Sequence, residues 1–369
     1  MPFIKKSFFI KKMASFSETK KYRPSEWDKL FDSSLINGHL FPELSPSYHI
    51  SDENIEIFKD TKGKLQCMNV FTPIGDKSKL CIIYFHGNST DIGDCSKKLL
   101  LYSYWLDCLF IGIEYSGYGH SDGERTQESI IQKCADSILY INTIIKIPLH
   151  RIILFGHSIG CALALKMNSL FDGQFGGLIL QSPFTSVKEV TKVHSFFSSL
   201  FLSGSVLDNV EEIKKMKPNQ MLMLIHGEKD ELIPHAHSRE LYEKCNLKEN
   251  RKFMFIDKEG THNGFQKDNL KLLILIPFVK NCEKEFFNIR NDLPFCVRPE
   301  KTRLFDPKEY QRLTKIDDKI PKRKKIKSIW IGSNGFCDFL TIDEMEMAKY
   351  SKKNNLTIEE HDLLLLLSI

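Results

Sequence analysis

Between residue 50 and about residue 287, short apolar runs alternate with stretches of helical periodicity. Cys81–Phe85, Leu109–Ile113, Arg151–Phe155, Gly177–Leu180, Met221–Ile225 and Lys252–Ile256 each read as a strand. Their hydrophobicity is continuous rather than alternating, which predicts strands covered on both faces. Between them, Thr126–Ile145 and His235–Cys245 read as helices. Strand–helix alternation predicts a mostly parallel sheet with helices on both sides. Residues 52–72 predict an antiparallel hairpin ahead of it.

The ends of the chain have a different texture. Three zones are expected: a basic N-terminal tail at 1–37, one α/β domain at 38–287 and a basic C-terminal extension at 288–369. Within residues 1–24, seven basic side chains (Lys5, Lys6, Lys11, Lys12, Lys20, Lys21 and Arg23) face one acid, Glu18. Phe3, Ile4, Phe8, Phe9, Ile10 and Met13 interleave with them. Two readings stand: a segment in weak contact with an anionic membrane surface, or a disordered basic tail. A mitochondrial presequence is disfavoured, because the basic residues are mostly lysines. Lys322, Arg323, Lys324, Lys325 and Lys327 form a second basic cluster. It reads as a solvated linker or as a nuclear-import or anionic-lipid patch.

Composition narrows the class. Of 369 residues, 42% are hydrophobic and 27% charged, enough apolar material for a large core, which excludes a wholly disordered, collagen-like or coiled-coil chain. The net charge of +5 is too small for this length to imply a nucleic-acid partner. The ten cysteines run from Cys67 to Cys337 without a CxxC pair. With no early apolar leader, they predict reduced thiols in a cytoplasmic setting. No Cys/His quartet has ligand spacing, so no metal is expected. No run of about 18 apolar residues exists to span a membrane. The closing Leu363–Leu367 is far too short.

Chemistry enters at Gly156-His157-Ser158-Ile159-Gly160, which follows a strand and precedes the helical Cys161–Leu165. This is a G-x-S-x-G nucleophile elbow in its strand–turn–helix context. Ser158 at a helix N-terminus sits where the dipole and free N–H groups favour developing negative charge. A serine needs a base. Among twelve histidines, His86, His157 and His226 lie beside strand ends and read as structural. His235 and His237 lie too close in sequence to the expected acid to bridge to it. His262, in the loop after the last strand, is the expected base. Asp230, after the Met221–Ile225 strand, is the expected acid, with Glu228 and Asp257 as weaker candidates. The order Ser158, Asp230, His262 is that of α/β-hydrolases. The oxyanion donors are expected to be the backbone N–H of Ile159 and that of Asn88, in His86-Gly87-Asn88.

These blocks, together with Glu114-Tyr115-Ser116-Gly117-Tyr118-Gly119-His120-Ser121-Asp122-Gly123, Ser182-Pro183-Phe184-Thr185-Ser186 and the stretch from His226 to Pro234, resemble one family. It is that of the alpha/beta-hydrolase-domain-containing protein depalmitoylases, serine thioesterases that remove palmitate from cysteines at membranes. The upstream Phe41–Tyr48 is similar to a segment preceding their hydrolase domain. The likeness runs over about residues 38–285. It implies an α/β-hydrolase fold, no cofactor, and an acylated protein or lipid as substrate, cleaved as an ester or thioester. Carboxylesterase, lysophospholipase and aminopeptidase-like activities share the same motifs more loosely; a non-catalytic scaffold is the alternative from another class. Two departures stand out. The family's N-terminal cysteine cluster is missing here, since no Cys precedes Cys67. The C-terminal extension has no counterpart. Between Ser182 and Asn219, Phe184, Phe196, Phe197, Leu200, Phe201 and Leu202 read either as a short apolar cap for an acyl chain or as core.

Overall fold

A computed structural model of the chain describes residues 41–52, 54–60, 62–73, 77–78, 80–193, 207–264, 268–287 and 296–297. Both basic clusters, and Phe196 to Leu202 of the expected cap, lie outside these residues.

An eight-stranded sheet forms the centre, in the order β1-β2-β5-β4-β6-β7-β8-β9. The expected hairpin is β1 (Ile55–Lys59) and β2 (Leu65–Phe71), paired antiparallel. β2 also runs antiparallel to β5 (Leu109–Ile113). The other pairs are parallel: β4 (Cys81–Phe85) lies between β5 and β6 (Ile152–His157), followed by β7 (Gly177–Gln181), β8 (Met221–Gly227) and β9 (Lys252–Asp257). The sheet is therefore parallel except for β2. A two-residue strand β3 (Lys77–Ser78) pairs with β10 (Cys296–Val297), so a segment beyond residue 287 returns to the domain.

Continuous strand hydrophobicity has a direct cause. In β4, Cys81, Ile83 and Phe85 join one core cluster while Ile82 and Tyr84 join the other. The first cluster is closed by α2 (Gln127–Thr143) and α3 (Ile159–Leu170). The second is closed by α1 (Ile92–Leu106) and α7 (Asp268–Phe287). Alternate side chains of β4 thus point into two dry layers, and neither face tolerates a polar stripe. Short helices α4 (Val187–Val193), α5 (Asn209–Ile213) and α6 (Ala236–Lys244) complete the described α-helices. Among the described residues, no helix is long and apolar enough to cross a membrane.

Candidate active site

The site lies where β4, β6, β8 and β9 end, at the C-terminal edge of the parallel strands. Ser158 occupies the turn between β6 and α3 at φ 54° and ψ −120°, a conformation seldom adopted by a side-chain-bearing residue. Neighbours hold it there. Its N–H donates to Gln181 O at 2.9 Å and its carbonyl accepts Cys161 N–H at 2.9 Å. Gly160 lets α3 approach β4: a Cβ there would strike the carbonyl oxygens of Phe85 and His86. Ile159 is the first residue of α3, whose first-turn N–H groups have no intrahelical acceptor.

His262 Nε2 stands 3.1 Å from Ser158 Oγ, and His262 Nδ1 stands 2.9 Å from Asp230 Oδ2. The carboxylate fixes the tautomer: Nδ1 carries the proton and donates it, leaving the Nε2 lone pair towards the serine. His262 and Asp230 are buried, Ser158 half-buried. Ser158, Asp230 and His262, expected from sequence to act together, are therefore within hydrogen-bond reach of one another in series. Glu228 is exposed on the same loop. Asp257 is buried, and its Oδ1 accepts Glu259 N–H at 3.1 Å.

Two loops must meet for this series to form. Glu228 N–H donates to Asp257 O at 2.7 Å and Lys229 N–H to Gly260 O at 2.9 Å, so the acid and histidine loops are joined through their backbones. Gly227 and Gly260 make that possible, because a Cβ on Gly227 would overlap the Gly260 carbonyl.

Asp230 is saturated with donors. Oδ1 accepts the N–H groups of Leu232 (2.9 Å) and Ile233 (2.7 Å). Oδ2 accepts from His262 and also faces His226 Nε2 at 3.1 Å. Burial alone would raise its pKa. The hydrogen bonds from His226, His262 and the Ile233 N–H outweigh it and hold the carboxyl well below the usual range. His226 can serve only as a donor through Nε2, since that atom also meets Ile233 O at 2.8 Å while Nδ1 meets Ser238 Oγ at 2.7 Å. His226, read from sequence as structural, holds Asp230.

Sequence reasoning also missed what holds His262. Its carbonyl accepts from His157 Nε2 at 3.2 Å and from Ser182 Oγ at 3.3 Å, with the His157 and His262 rings 5.5 Å apart. Ser182 itself sits at φ 50°. Nothing in a serine within Ser182-Pro183-Phe184-Thr185-Ser186 announces that strain. His237, set aside as too local, pins Thr185, at the start of the segment read as cap or core: its Nδ1 meets Thr185 Oγ1 at 2.9 Å. Burial, then the charge of His226, lowers its pKa, which favours the neutral ring that accepts this bond. Phe184, the described member of the expected cap, is 5% exposed and belongs to the core.

The expected second oxyanion loop lies between β4 and α1. His86 is buried, its carbonyl accepts the Tyr115 hydroxyl at 2.7 Å, and its Nε2 stands 3.2 Å from Glu114 Oε1. A Cβ on Gly87 would come within 2.9 Å of His157 Nδ1, which places this loop against the elbow. Asn88 is exposed, with its Oδ1 accepting Ser89 N–H at 2.8 Å.

Sheet order, elbow and series of side chains are those of the α/β-hydrolases, and the chain is an α/β-hydrolase-fold protein resembling the alpha/beta-hydrolase-domain-containing proteins. The family described as serine aminopeptidase, S33, matches residues 76–220, which include Ser158 and stop short of Asp230 and His262. Human alpha/beta hydrolase domain-containing protein 17B is 27% identical over 211 residues, 56% of this chain and 70% of that protein. The Caenorhabditis elegans alpha/beta hydrolase domain-containing protein aho-3 is 23% identical over 238 residues, 58% of this chain and 69% of its own. Among solved structures, acetyl xylan esterase 1 from a Thermoanaerobacterium species superimposes with a TM-score of 0.50 at 15% identity, covering 72% of this chain and 95% of that one. It shares the fold.

Proposed function

We propose that the protein is a serine hydrolase that cleaves an acyl ester or thioester through an acyl-enzyme, and that its substrate is a palmitoylated protein. The observation that carries the serine chemistry is the run of contacts from Ser158 Oγ to His262 Nε2 at 3.1 Å and from His262 Nδ1 to Asp230 Oδ2 at 2.9 Å. Ser158 Oγ attacks the acyl carbon as its proton passes to His262 Nε2. Asp230 steadies the imidazolium so formed. The carbonyl oxygen, now an oxyanion, takes hydrogen bonds from the N–H groups of Ile159 and Asn88. The bond to the leaving sulfur or oxygen then breaks, and the leaving group takes the proton from Nε2. Water repeats the cycle on the acyl-enzyme, with the same base and donors, and frees the fatty acid. The cycle needs no cofactor.

Thioester and palmitate are supported by the motif resemblance to the depalmitoylases. An aminopeptidase-like reading is supported by the S33 match, and a carboxylesterase reading by the looser sharing of the same motifs. In this reading the protein works in the cytoplasm, on acylated protein or lipid held at a membrane surface. The basic, Phe-rich N-terminus gives it weak contact with anionic lipid.

A panel of acyl esters, acyl thioesters and aminoacyl amides offered to purified protein separates these substrates. Palmitoyl thioesters should turn over fastest. Ser158→Ala should abolish turnover and fluorophosphonate labelling while the fold survives. Retained hydrolysis in that folded variant, or absence of labelling in the unaltered protein, ends the serine-hydrolase reading.

A further inference from the structure

Residues 41–52 precede β1 and cross over the start of α1 and the loop after β5. Ser47 N–H donates to Asp91 Oδ2 at 2.7 Å, and the Ser47 hydroxyl donates to Asp91 Oδ1. Asp91 is 1% exposed and is the N-cap of α1, accepting Asp94 N–H at 3.0 Å. Next along the strap, the Tyr48 hydroxyl accepts His120 N–H at 3.0 Å, and His120 Nε2 meets the Tyr48 carbonyl at 3.2 Å. Two glycines make room. A Cβ on Gly93 would meet the Ser47 hydroxyl, and one on Gly119 would meet both the Tyr48 hydroxyl and Glu114 Oε2.

The Ser47 contacts reach the loop from His86 to Asp91, and those of Tyr48 tie the strap to the loop after β5. Glu114, wholly buried, binds His86 Nε2 at 3.2 Å and Ile92 N–H at 3.4 Å. Gly87 O accepts the Thr90 hydroxyl at 3.0 Å. The middle of the loop is strained, because Ser89 has φ 57° without being glycine. A strained turn persists only when its surroundings over-determine it. Here one end is held by Glu114 and Tyr115, and the other end, Asp91, is held by Ser47. The backbone N–H of Asn88 lies between the two anchors.

We propose that Ser47 and Tyr48 are positioning residues for the reaction: Ser47 clamps the loop that presents the Asn88 N–H and Tyr48 holds the strap that carries Ser47, so the strap ahead of β1 sets how well the oxyanion is bound. The proposal rests on the reading of Asn88 as an oxyanion donor. Oxyanion donors act only when preorganised at hydrogen-bond distance from where charge develops, and small displacements are felt in turnover rather than in substrate binding.

The test uses the full chain with a palmitoyl thioester, and a trifluoromethyl ketone bearing the same acyl chain, whose hemiketal on Ser158 mimics the tetrahedral intermediate. Ser47→Ala removes one hydrogen bond to a buried carboxylate and should lower kcat by about tenfold. KM should stay within about twofold, and the ketone should weaken by the same factor as kcat. Ser47→Thr keeps the hydroxyl and should restore both. Glu43→Gln, at the exposed pair with Arg125 on the same strap, should behave as wild type. Should Ser47→Ala fail to fold, Tyr48→Phe is judged by the same criteria. Unchanged kcat in a folded variant, or a loss of melting temperature with no change in ketone affinity, overturns the clamp while Ser158-dependent hydrolysis still stands. Absence of Ser158-dependent turnover in the unaltered protein removes the reading of function, and the clamp with it.

Discussion

Asp230→Asn tests the site most sharply, because four N–H groups converge on that carboxylate: Leu232 and Ile233 on Oδ1, His262 and His226 on Oδ2. The two backbone donors cannot turn away, so the amide oxygen of an asparagine must take their side. Its NH2 then faces two imidazole N–H groups. His226 must keep its Nε2 proton, because Ile233 O accepts it at 2.8 Å. His262 can relieve the clash by moving its proton to Nε2. That proton then points at Ser158 Oγ, and the base can no longer accept one. The same change of tautomer in a serine protease lowers kcat by about 10⁴, close to 5.5 kcal/mol of barrier. A loss of that order is expected here. KM should hardly move, since Asp230 acts through His262. Steady-state hydrolysis of an acyl thioester gives both constants, and circular dichroism checks the fold. Glu228→Gln, an exposed neighbour, should cost little. A folded Asp230→Asn variant within tenfold of wild type, or an equal loss in Glu228→Gln, would refute the reasoning.

Further outcomes follow from the same contacts. The depressed Asp230 pKa stabilises the fold in full above the ordinary Asp value of about 3.9, and that contribution is lost as pH falls below it; acid unfolding followed by fluorescence should therefore be flatter in Asp230→Asn. His226→Leu strips a donor from Asp230 and strands the Ser238 hydroxyl and Ile233 carbonyl, so denaturant melts should show a loss of about 1–3 kcal/mol. Gly160→Val places a side chain against the Phe85 and His86 carbonyls and should destabilise by about 2 kcal/mol or more, with labelling of Ser158 lost in parallel. Deleting residues 1–24 removes seven basic side chains, each worth about 1 kcal/mol near an anionic leaflet; vesicle co-sedimentation at low salt should drop while hydrolysis of soluble thioesters is spared, and equal sedimentation would discard the membrane reading.

What could be read from the sequence has a physical pattern. Cys81–Phe85 and Leu109–Ile113 match β4 and β5 to the residue, because strands buried on both faces carry an unbroken apolar signal. Helix ends drifted by a residue or two, as at Gln127–Thr143 against Thr126–Ile145. The elbow was legible because its glycines and serine are adjacent in sequence. Asp230 and His262 were picked out by their positions after strands, and the sheet brings them to one edge beside Ser158. His226, His157, Ser182 and Glu114 were not assigned their contacts. His157, Ser182 and Glu114 act through partners far along the chain, as His157 does on His262 and Glu114 on His86, whereas His226 meets Asp230 only four residues on. A buried histidine or glutamate looks the same in sequence whichever neighbour it meets.

The site depends on places where backbone passes against backbone as well as on its three side chains. At the elbow, Gly160 admits the carbonyls of β4 beneath α3; between the acid and histidine loops, Gly227 admits Gly260. The first contact sets Ser158 relative to the expected oxyanion loop, and the second sets Asp230 relative to His262. Neither distance belongs to one element. The Ser158–His262 contact of 3.1 Å is therefore a property of β4, β6, β8 and β9 in register, and the sheet's parallel pairing is what transmits it. Reactive geometry and sheet stability are coupled through those glycines. A substitution at either should remove activity and stability together, whereas substitution of a triad side chain should remove activity and leave the fold standing. That contrast separates the residues that react from those that hold them in place.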